Sequence, residues 1–295
     1  MMMKTQSIDT SPDAERVLIG MIRNAPITKR FAFVQSWSCS MIEAGRLDVR
    51  QFHPQATMQE MCLLYAERRY DKDLVNELRT ALQQQAVEVL PFRDLDFQVP
   101  LIPLVEVFGQ LNIAYALGGS LASSLYGMQR ATIQLDLIAA LDQQHDESLR
   151  KQLMPQYYFR ENEVKAALMQ GTSFTLIHLK SLLKVVVTLP KMLATGQQVF
   201  QQVRQVPLVE GGQAVAVLAP EQLILLLLDA FKKSNERADD LWYDLLAVMK
   251  VQATDLDIPF LEQQAAILDM ASLLQQASID AGLREELRRD LSQCP

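Results

Sequence analysis

The residues whose types and spacing could do chemistry lie in one stretch, residues 116–140, which reads ALGGSLASSLYGMQRATIQLDLIAA. Its only acid, Asp136, follows Gln134 by two residues, so both side chains lie on one face of any strand formed there. Two acids at that spacing could hold Mg²⁺, which would bridge the phosphates of a nucleotide. Because one of the two positions carries an amide, the stretch indicates either an active site or an active site that has lost most of its chemistry.

A glycine turn precedes this strand. Gly118 and Gly119 permit a positive φ and let a ligand approach the backbone closely. Ser120 is predicted to open a helix, where its hydroxyl and the first free N–H groups would form an anion site. The same three residues also fit a plain turn with a helix cap, and Asp136 also fits a buried acid held by hydrogen bonds to that turn.

The elements that must position these residues alternate in the middle of the chain. A strand ending near Leu117, a short helix and a strand over residues 131–141 are followed by more helices and by two strands within residues 173–189. A hairpin around Gly211 and Gly212 comes next. This alternation predicts an α+β fold, with a small mixed β-sheet flanked by N- and C-terminal helical regions.

Local signals predict several helix ends in the N-terminal region. Asp13 is expected to cap the first helix, and Gly45 is expected to end the second. Thr57 and Glu60 have capping-box spacing at the start of the third. These residues place helices but point to no chemistry.

Other polar residues are given structural interpretations. We expect His178 to be a satisfied core histidine rather than a ligand. Lys184 is expected to reach solvent or to pair with a carboxylate. The three aspartates of the segment ERADDLWYDLL, Asp239, Asp240 and Asp244, are expected to form a solvated helical face.

Composition sets limits on the function. The chain has 295 residues, of which 49% are hydrophobic and 21% charged, so we expect it to bury a core. A net charge of −7 argues against general nucleic-acid binding and against binding to anionic membranes. Three cysteines without C-x-x-C spacing are typical of reduced thiols in a cytoplasmic protein. The longest apolar run, residues 223–231, is too short to span a bilayer, so no membrane association is expected.

The segment GGSLASSLYGMQRATIQLDLIAAL resembles the signature of the nucleotidyltransferase superfamily. It is most similar to the small prokaryotic branch associated with abortive-infection and toxin–antitoxin systems, which has a Gly-Gly-Ser turn, then Arg-x-Thr, then Asp-x-Asp-Leu. The resemblance continues through SFTLIHLKSLLKVVVTL, the region where the family places a third acid as Lys-x-Asp. It implies a nucleotide-binding role for Gly118, Gly119, Ser120 and Arg130, and a metal-binding role for Asp136.

The departures from this pattern bear on activity. Gln134 stands where the resemblance implies the first metal-binding Asp, and Val186 stands where it implies the third. Leu227 replaces a Lys that many members of the branch have. Because an amide offers one neutral oxygen and valine offers none, two of the three expected carboxylate ligands are missing, and Mg²⁺ prefers anionic oxygen ligands.

The leading interpretation is therefore a catalytically degenerate nucleotidyltransferase-like protein that binds a nucleotide or a protein partner, in a setting of bacterial defence that the resemblance alone implies. It needs no cofactor. The second is an active enzyme that uses Mg²⁺ to move NMP from an NTP to an unknown acceptor, and the third is a structural module with no ligand. Whether the protein is an enzyme stays open at this point. The expected regions are N-terminal helices over residues 1–92, a nucleotidyltransferase-like sheet domain over residues 93–215 and C-terminal helices over residues 216–295.

Overall fold

A computed structural model describes residues 4–7, 9–90 and 96–283. Within these ranges the chain forms twelve α-helices and seven strands. The helices are α1 (Pro12–Asn24), α2 (Ile27–Phe52), α3 (Met58–Glu67), α4 (Lys72–Gln84), α5 (Gln98–Gln110), α6 (Gly119–Tyr126), α7 (Asp146–Leu153), α8 (Glu161–Gln170), α9 (Pro220–Lys233), α10 (Asp239–Gln252), α11 (Ile258–Ile267) and α12 (Ala271–Asp280). The strands are β1 (Tyr115–Gly118), β2 (Gln134–Ala139), β3 (Tyr157–Tyr158), β4 (Ser173–His178), β5 (Lys184–Thr188), β6 (Val203–Pro207) and β7 (Ala214–Leu218).

The α+β prediction is confirmed, because helices precede β1 and follow β7 and the strand pairing is both parallel and antiparallel. The described residues fall into two compact units. Unit 1 comprises the described parts of residues 1–32, 116–130 and 193–295, and unit 2 those of residues 33–115 and 131–192. The division into three consecutive regions stays a prediction.

Unit 2 is built around four strands in the order β3-β4-β5-β2. β2 and β5 are parallel, whereas β4 pairs antiparallel with β5 and with β3. The predicted pair of strands within residues 173–189 is therefore confirmed. Alternation gives the strands one buried face, which includes Leu135, Leu137, Val185 and Val187. The opposite face carries the partly exposed polar residues discussed below.

Unit 1 contains the other three strands, with β1 parallel to β7 and β6 antiparallel to β7. The β6–β7 connection turns at Gly211, which has φ of 68°, so the predicted hairpin is confirmed. α9 and α10 pack against each other and against α6. The apolar residues of α9, such as Leu223, Ile224 and Leu228, are buried in this packing.

Two predicted helix ends are wrong and one is right. Ser11, not Asp13, caps α1, because its side chain accepts a hydrogen bond from the Ala14 N–H. α2 continues through Gly45, where a Cβ would lie 2.5 Å from Cε2 of Tyr65. The glycine there permits close packing instead of ending the helix. The capping box of Thr57 and Glu60 is confirmed at the start of α3.

Among the described residues, no helix combines the length and the apolar character needed to cross a bilayer.

Candidate functional site

The glycine turn lies in unit 1, between β1 and α6. β1 ends at Gly118, and α6 begins at Gly119, whose φ of 59° lies in the left-handed region. The positive φ explains the glycine at this position, since a side chain would be strained there. Ser120 is the second residue of α6 and not its cap, which is Gly118. The Ser123 hydroxyl donates to the Gly119 carbonyl at 3.0 Å and so stabilises the turn from inside the helix.

Arg130 is held by a carboxylate of the same unit. Its Nε donates to Oδ1 of Asp244 at 2.8 Å, and a terminal nitrogen donates to Oδ2 at 2.6 Å. This two-point geometry is the strongest form of an Arg–carboxylate contact. Asp244 is buried on α10, so its predicted place on a solvated face is wrong. Burial raises the pKa of Asp244, against the opposing effect of the Arg130 charge.

Gln134 and Asp136 are joined by a hydrogen bond along β2. Nε2 of Gln134 donates to Oδ1 of Asp136 at 2.6 Å, and both residues are partly exposed. At that separation an amide oxygen would repel a carboxylate oxygen, so the amide must present its N–H group. Gln134 therefore behaves as a donor to Asp136, and its amide does not stand beside that carboxylate as a second oxygen ligand.

Val186 lies directly beside Asp136 on the neighbouring strand. The parallel register pairs Asp136 with Val186 and Gln134 with Lys184. Side chains at paired positions share a face of the sheet, so Gln134, Asp136 and Val186 lie on one patch. The position at which the family resemblance implies a third acid thus holds a partly exposed apolar side chain.

This set of residues does not fit Mg²⁺. It supplies one carboxylate, one amide that is already a hydrogen-bond donor, and one valine. Mg²⁺ requires near-octahedral oxygen coordination and gives up water reluctantly. Within the part of the chain that the structure describes, no cluster of three or more His, Cys, Asp or Glu residues could hold a metal ion.

Sequence reasoning missed a cavity of about 350 Å³ in unit 2, on the same sheet face as Asp136. We call it the Lys184 pocket. Its walls include three cations and three aromatic rings, which are Arg69, Arg160, Lys184, Tyr70, Tyr158 and Phe159. The residues come from three separate segments of the chain, so no local spacing could have indicated them.

Lys184 was the one member of this pocket that the sequence singled out. Of the two expectations for Lys184, that it reaches solvent or pairs with a carboxylate, the second is not met: the residue is partly exposed, and among the described residues no ion pair or hydrogen bond of its ammonium group occurs. Lys184 lies beside Gln134 in the parallel register and opposite Ile177 in the antiparallel one. Its side chain therefore shares the face of Asp136 and Val186.

No protein-family model matches the chain, and no curated protein gives a significant sequence match. Solved structures that are similar to it include the following two. One is an antigenic nucleotidyltransferase-like protein from Paracoccidioides brasiliensis, with 14% sequence identity, a TM-score of 0.38, and coverage of 61% of this chain and 91% of that chain. The other is the antibiotic-resistance factor ANT(2'')-Ia, with 15% identity, a TM-score of 0.34, and coverage of 64% and 97%, respectively. Likenesses of this low degree assign no family to the chain.

Proposed function

We propose that this chain is a nucleotidyltransferase-like protein that has lost its catalytic metal site and acts by binding a nucleotide or a protein partner. The observation that carries the proposal is the 2.6 Å hydrogen bond from Gln134 to Asp136, beside Val186 at the register position of the missing acid. The resemblance of residues 118–137 to the nucleotidyltransferase signature indicates that the lost activity is nucleotidyl transfer.

The proposed loss of catalytic activity follows from the small number of carboxylate oxygens that could hold a metal ion. In phosphoryl-transfer chemistry, bound dications neutralise charge that develops on the phosphate oxygens, which is worth several kcal/mol of transition-state stabilisation. A loss of about 4 kcal/mol corresponds to about a thousandfold in rate. Asp136 alone cannot supply the coordination that Mg²⁺ requires, so we expect no metal-dependent transfer above background.

The binding role is supported by what remains of the signature. The turn at Gly118 and Gly119 keeps the backbone conformation that lets a ligand approach closely. Ser120 lies in the first turn of α6, and the N-terminal end of a helix favours anionic groups. Arg130, whose side chain forms two hydrogen bonds to Asp244, carries the positive charge that the resemblance assigns to nucleotide binding.

The test is to restore the missing acids. Gln134→Asp removes the amide donor, and Val186→Asp places a carboxylate beside Asp136 on the next strand. The melting temperature is measured with and without Mn²⁺ and ATP for wild type, each single variant and the double variant. Transfer of label from α-labelled NTPs is followed in parallel.

We expect the double variant alone to gain a shift that needs metal and nucleotide together, because a ligand that binds only the native state stabilises it. Without metal it should melt below wild type, because its like charges repel and raise one another's pKa. The matched control combines Gln134→Asp with Thr188→Asp. That variant adds the same charge to the same strand, two residues from Val186 and opposite Ile138.

Two results would overturn the proposal. A large Mn²⁺-dependent shift or label transfer by the wild type would mean that the protein is an active enzyme. An equal response of the control and the double variant would mean that added charge alone attracts the metal, so that Val186 does not mark a lost ligand position.

A further inference from the structure

The Lys184 pocket is bounded by the start of α4, by β3 and the residues that follow it, and by β4 and β5. Its floor lies on the face of the sheet that carries Thr175 and Lys184. Thr175 pairs with Val186, which itself pairs with Asp136. Two strand spacings separate Thr175 from Asp136, about 10 Å. The pocket therefore opens beside the patch described above but uses none of its residues.

The charges of the pocket are unevenly neutralised. Arg160 is surrounded by acids, with Nε 2.8 Å from Glu77, one terminal nitrogen 3.1 Å from Glu163 and the other 3.5 Å from Asp71. Asp71 also caps α4, since its carboxylate accepts from the Leu74 N–H at 2.8 Å. The acids that line the pocket are therefore already in contact with Arg160 or with the start of α4.

Two cations are left without a carboxylate. The guanidinium of Arg69 donates to the Tyr65 hydroxyl at 3.3 Å and lies 5.6 Å from the centre of that ring. Among the described residues, neither Arg69 nor Lys184 is paired with an acid. Both side chains are only partly exposed, and two like charges in one cavity repel each other unless an anion lies between them.

The aromatic walls are fixed by hydrogen bonds. The hydroxyl of Tyr70 donates to the Leu182 carbonyl at 2.9 Å, and that of Tyr158 donates to Glu77 at 2.5 Å. Their rings therefore line the cavity in defined positions. Because both hydroxyls are already used, these rings offer apolar surface, not donors, to a ligand.

We propose that the Lys184 pocket binds a small phosphorylated molecule, whose phosphate lies between Arg69 and Lys184 and whose apolar part packs against Tyr70 and Tyr158. A guanidinium binds two oxygens of one phosphate in parallel, and an ammonium serves as a point charge for a third. The volume of about 350 Å³ lies at the small end of ligand sites, which suits a sugar phosphate or a nucleoside monophosphate.

This inference goes beyond the proposed function, because the pocket requires no metal and contains none of Gly118, Gly119, Ser120 or Arg130. The start of α4, which forms one wall, precedes the region of the nucleotidyltransferase signature in the chain. Failure of one proposal therefore leaves the other intact.

The experiment uses the full chain in the presence of EDTA. Inorganic phosphate, ribose 5-phosphate, AMP and CMP are titrated by calorimetry and by amide chemical shifts, with adenosine, cytidine and benzoate as comparison ligands. At least one phosphate ester should bind with Kd below about 1 mM, more tightly than its nucleoside or benzoate. The shifts should move at Tyr70, Thr175 and Lys184.

Two pocket variants and one matched control locate the site. Lys184→Gln and Arg69→Gln should each weaken binding at least about tenfold, because each removes a charge-assisted hydrogen bond. Lys180→Gln removes the same charge from an exposed lysine outside the pocket and should leave binding unchanged. Melting temperatures of all three variants verify that they fold.

The proposal is wrong if none of the phosphate probes binds at about 10 mM, a concentration well above any useful affinity. It is also wrong if Lys180→Gln weakens binding as much as Lys184→Gln, because the attraction would then come from general charge. Binding of benzoate as tight as that of the phosphate esters would overturn the assignment of a phosphate ligand.

Discussion

The buried imidazole of His178 should make the stability of this protein depend on pH. His178 ends β4, and its side chain is 1% exposed. Its Nδ1 accepts from the Ser181 N–H at 3.2 Å and lies 2.9 Å from the Ser181 hydroxyl. A nitrogen that accepts from a backbone N–H carries no proton, so the ring is neutral, with its proton on Nε2. The prediction of a satisfied core histidine agrees with this geometry.

The magnitude follows from the pKa. Burial, with a smaller contribution from the charge of Lys180, lowers the pKa of His178 from 6.5 to about 4. Between these two values the unfolded chain binds a proton that the folded chain does not, so the free energy of unfolding falls as pH falls. A pKa difference of about 2.5 at about 1.4 kcal/mol per pH unit gives roughly 3 to 4 kcal/mol in full, of which about 3 kcal/mol is lost between pH 7 and about pH 4.

The assay is urea unfolding at several pH values, for wild type and for His178→Asn. The asparagine side-chain oxygen can still accept from the Ser181 N–H, but it does not titrate. The difference in unfolding free energy between the two proteins should therefore shift by about 3 kcal/mol in favour of the variant as pH falls from 7 to 4. Parallel pH curves for the two proteins, or a resonance assigned to the His178 imidazole that titrates near 6.5 in the folded wild type, would refute this reasoning.

Two further predictions concern the stability of other buried features. Glu15 and Lys250 form an ion pair at 2.6 Å with both side chains 1% exposed. Glu15→Gln should lower the free energy of unfolding by about 3–5 kcal/mol, because it leaves a buried ammonium without a counter-charge. Combining Glu15→Leu with Lys250→Met should cost less than either single change, and additive losses in urea unfolding would contradict this. Gly171 has φ of 74° and a neighbouring Lys191 side chain where a Cβ would lie, so Gly171→Ala should lower stability by more than about 1 kcal/mol. Gly20→Ala, inside α1 with nothing within 4 Å of the new Cβ, should raise the stability by about 0.5–1 kcal/mol. Thermal melts of the two glycine variants would contradict the argument if both melting temperatures moved in the same direction.

The local features of the candidate site could be predicted from the sequence. The glycine turn at Gly119 and the shared face of Gln134 and Asp136 follow from backbone geometry over a few residues. The capping box at Thr57 is local in the same sense. Local signals gave a wrong prediction where packing decides the residue type. Gly45 does not end its helix; it is a glycine because the Tyr65 ring leaves no room for a side chain.

The partners of the site residues could not be predicted, because they lie far away in the sequence. Arg130 meets Asp244 across 114 positions, and a charged residue on an amphipathic helix carries no local sign of whether it is buried. Only the family resemblance predicts that Val186 lies near Asp136, whereas the register that pairs them is set by how β2 and β5 pack. The hydrogen bond from Gln134 to Asp136 likewise depends on side-chain rotamers that spacing leaves open.

The sequence by itself indicated many of the helices and strands, the α+β class of the fold, and a single acid at the three positions where the resemblance to nucleotidyltransferases implies acids. The tertiary structure decided which side chains meet. The Lys184 pocket shows why: Arg69, Tyr158 and Lys184 come from three segments and share a wall only after the chain has folded. Local structure depends largely on interactions between residues that are close in the sequence. A pocket requires distant segments to come together, and the entropic cost of closing the loops between them is offset only by the packing of the whole unit.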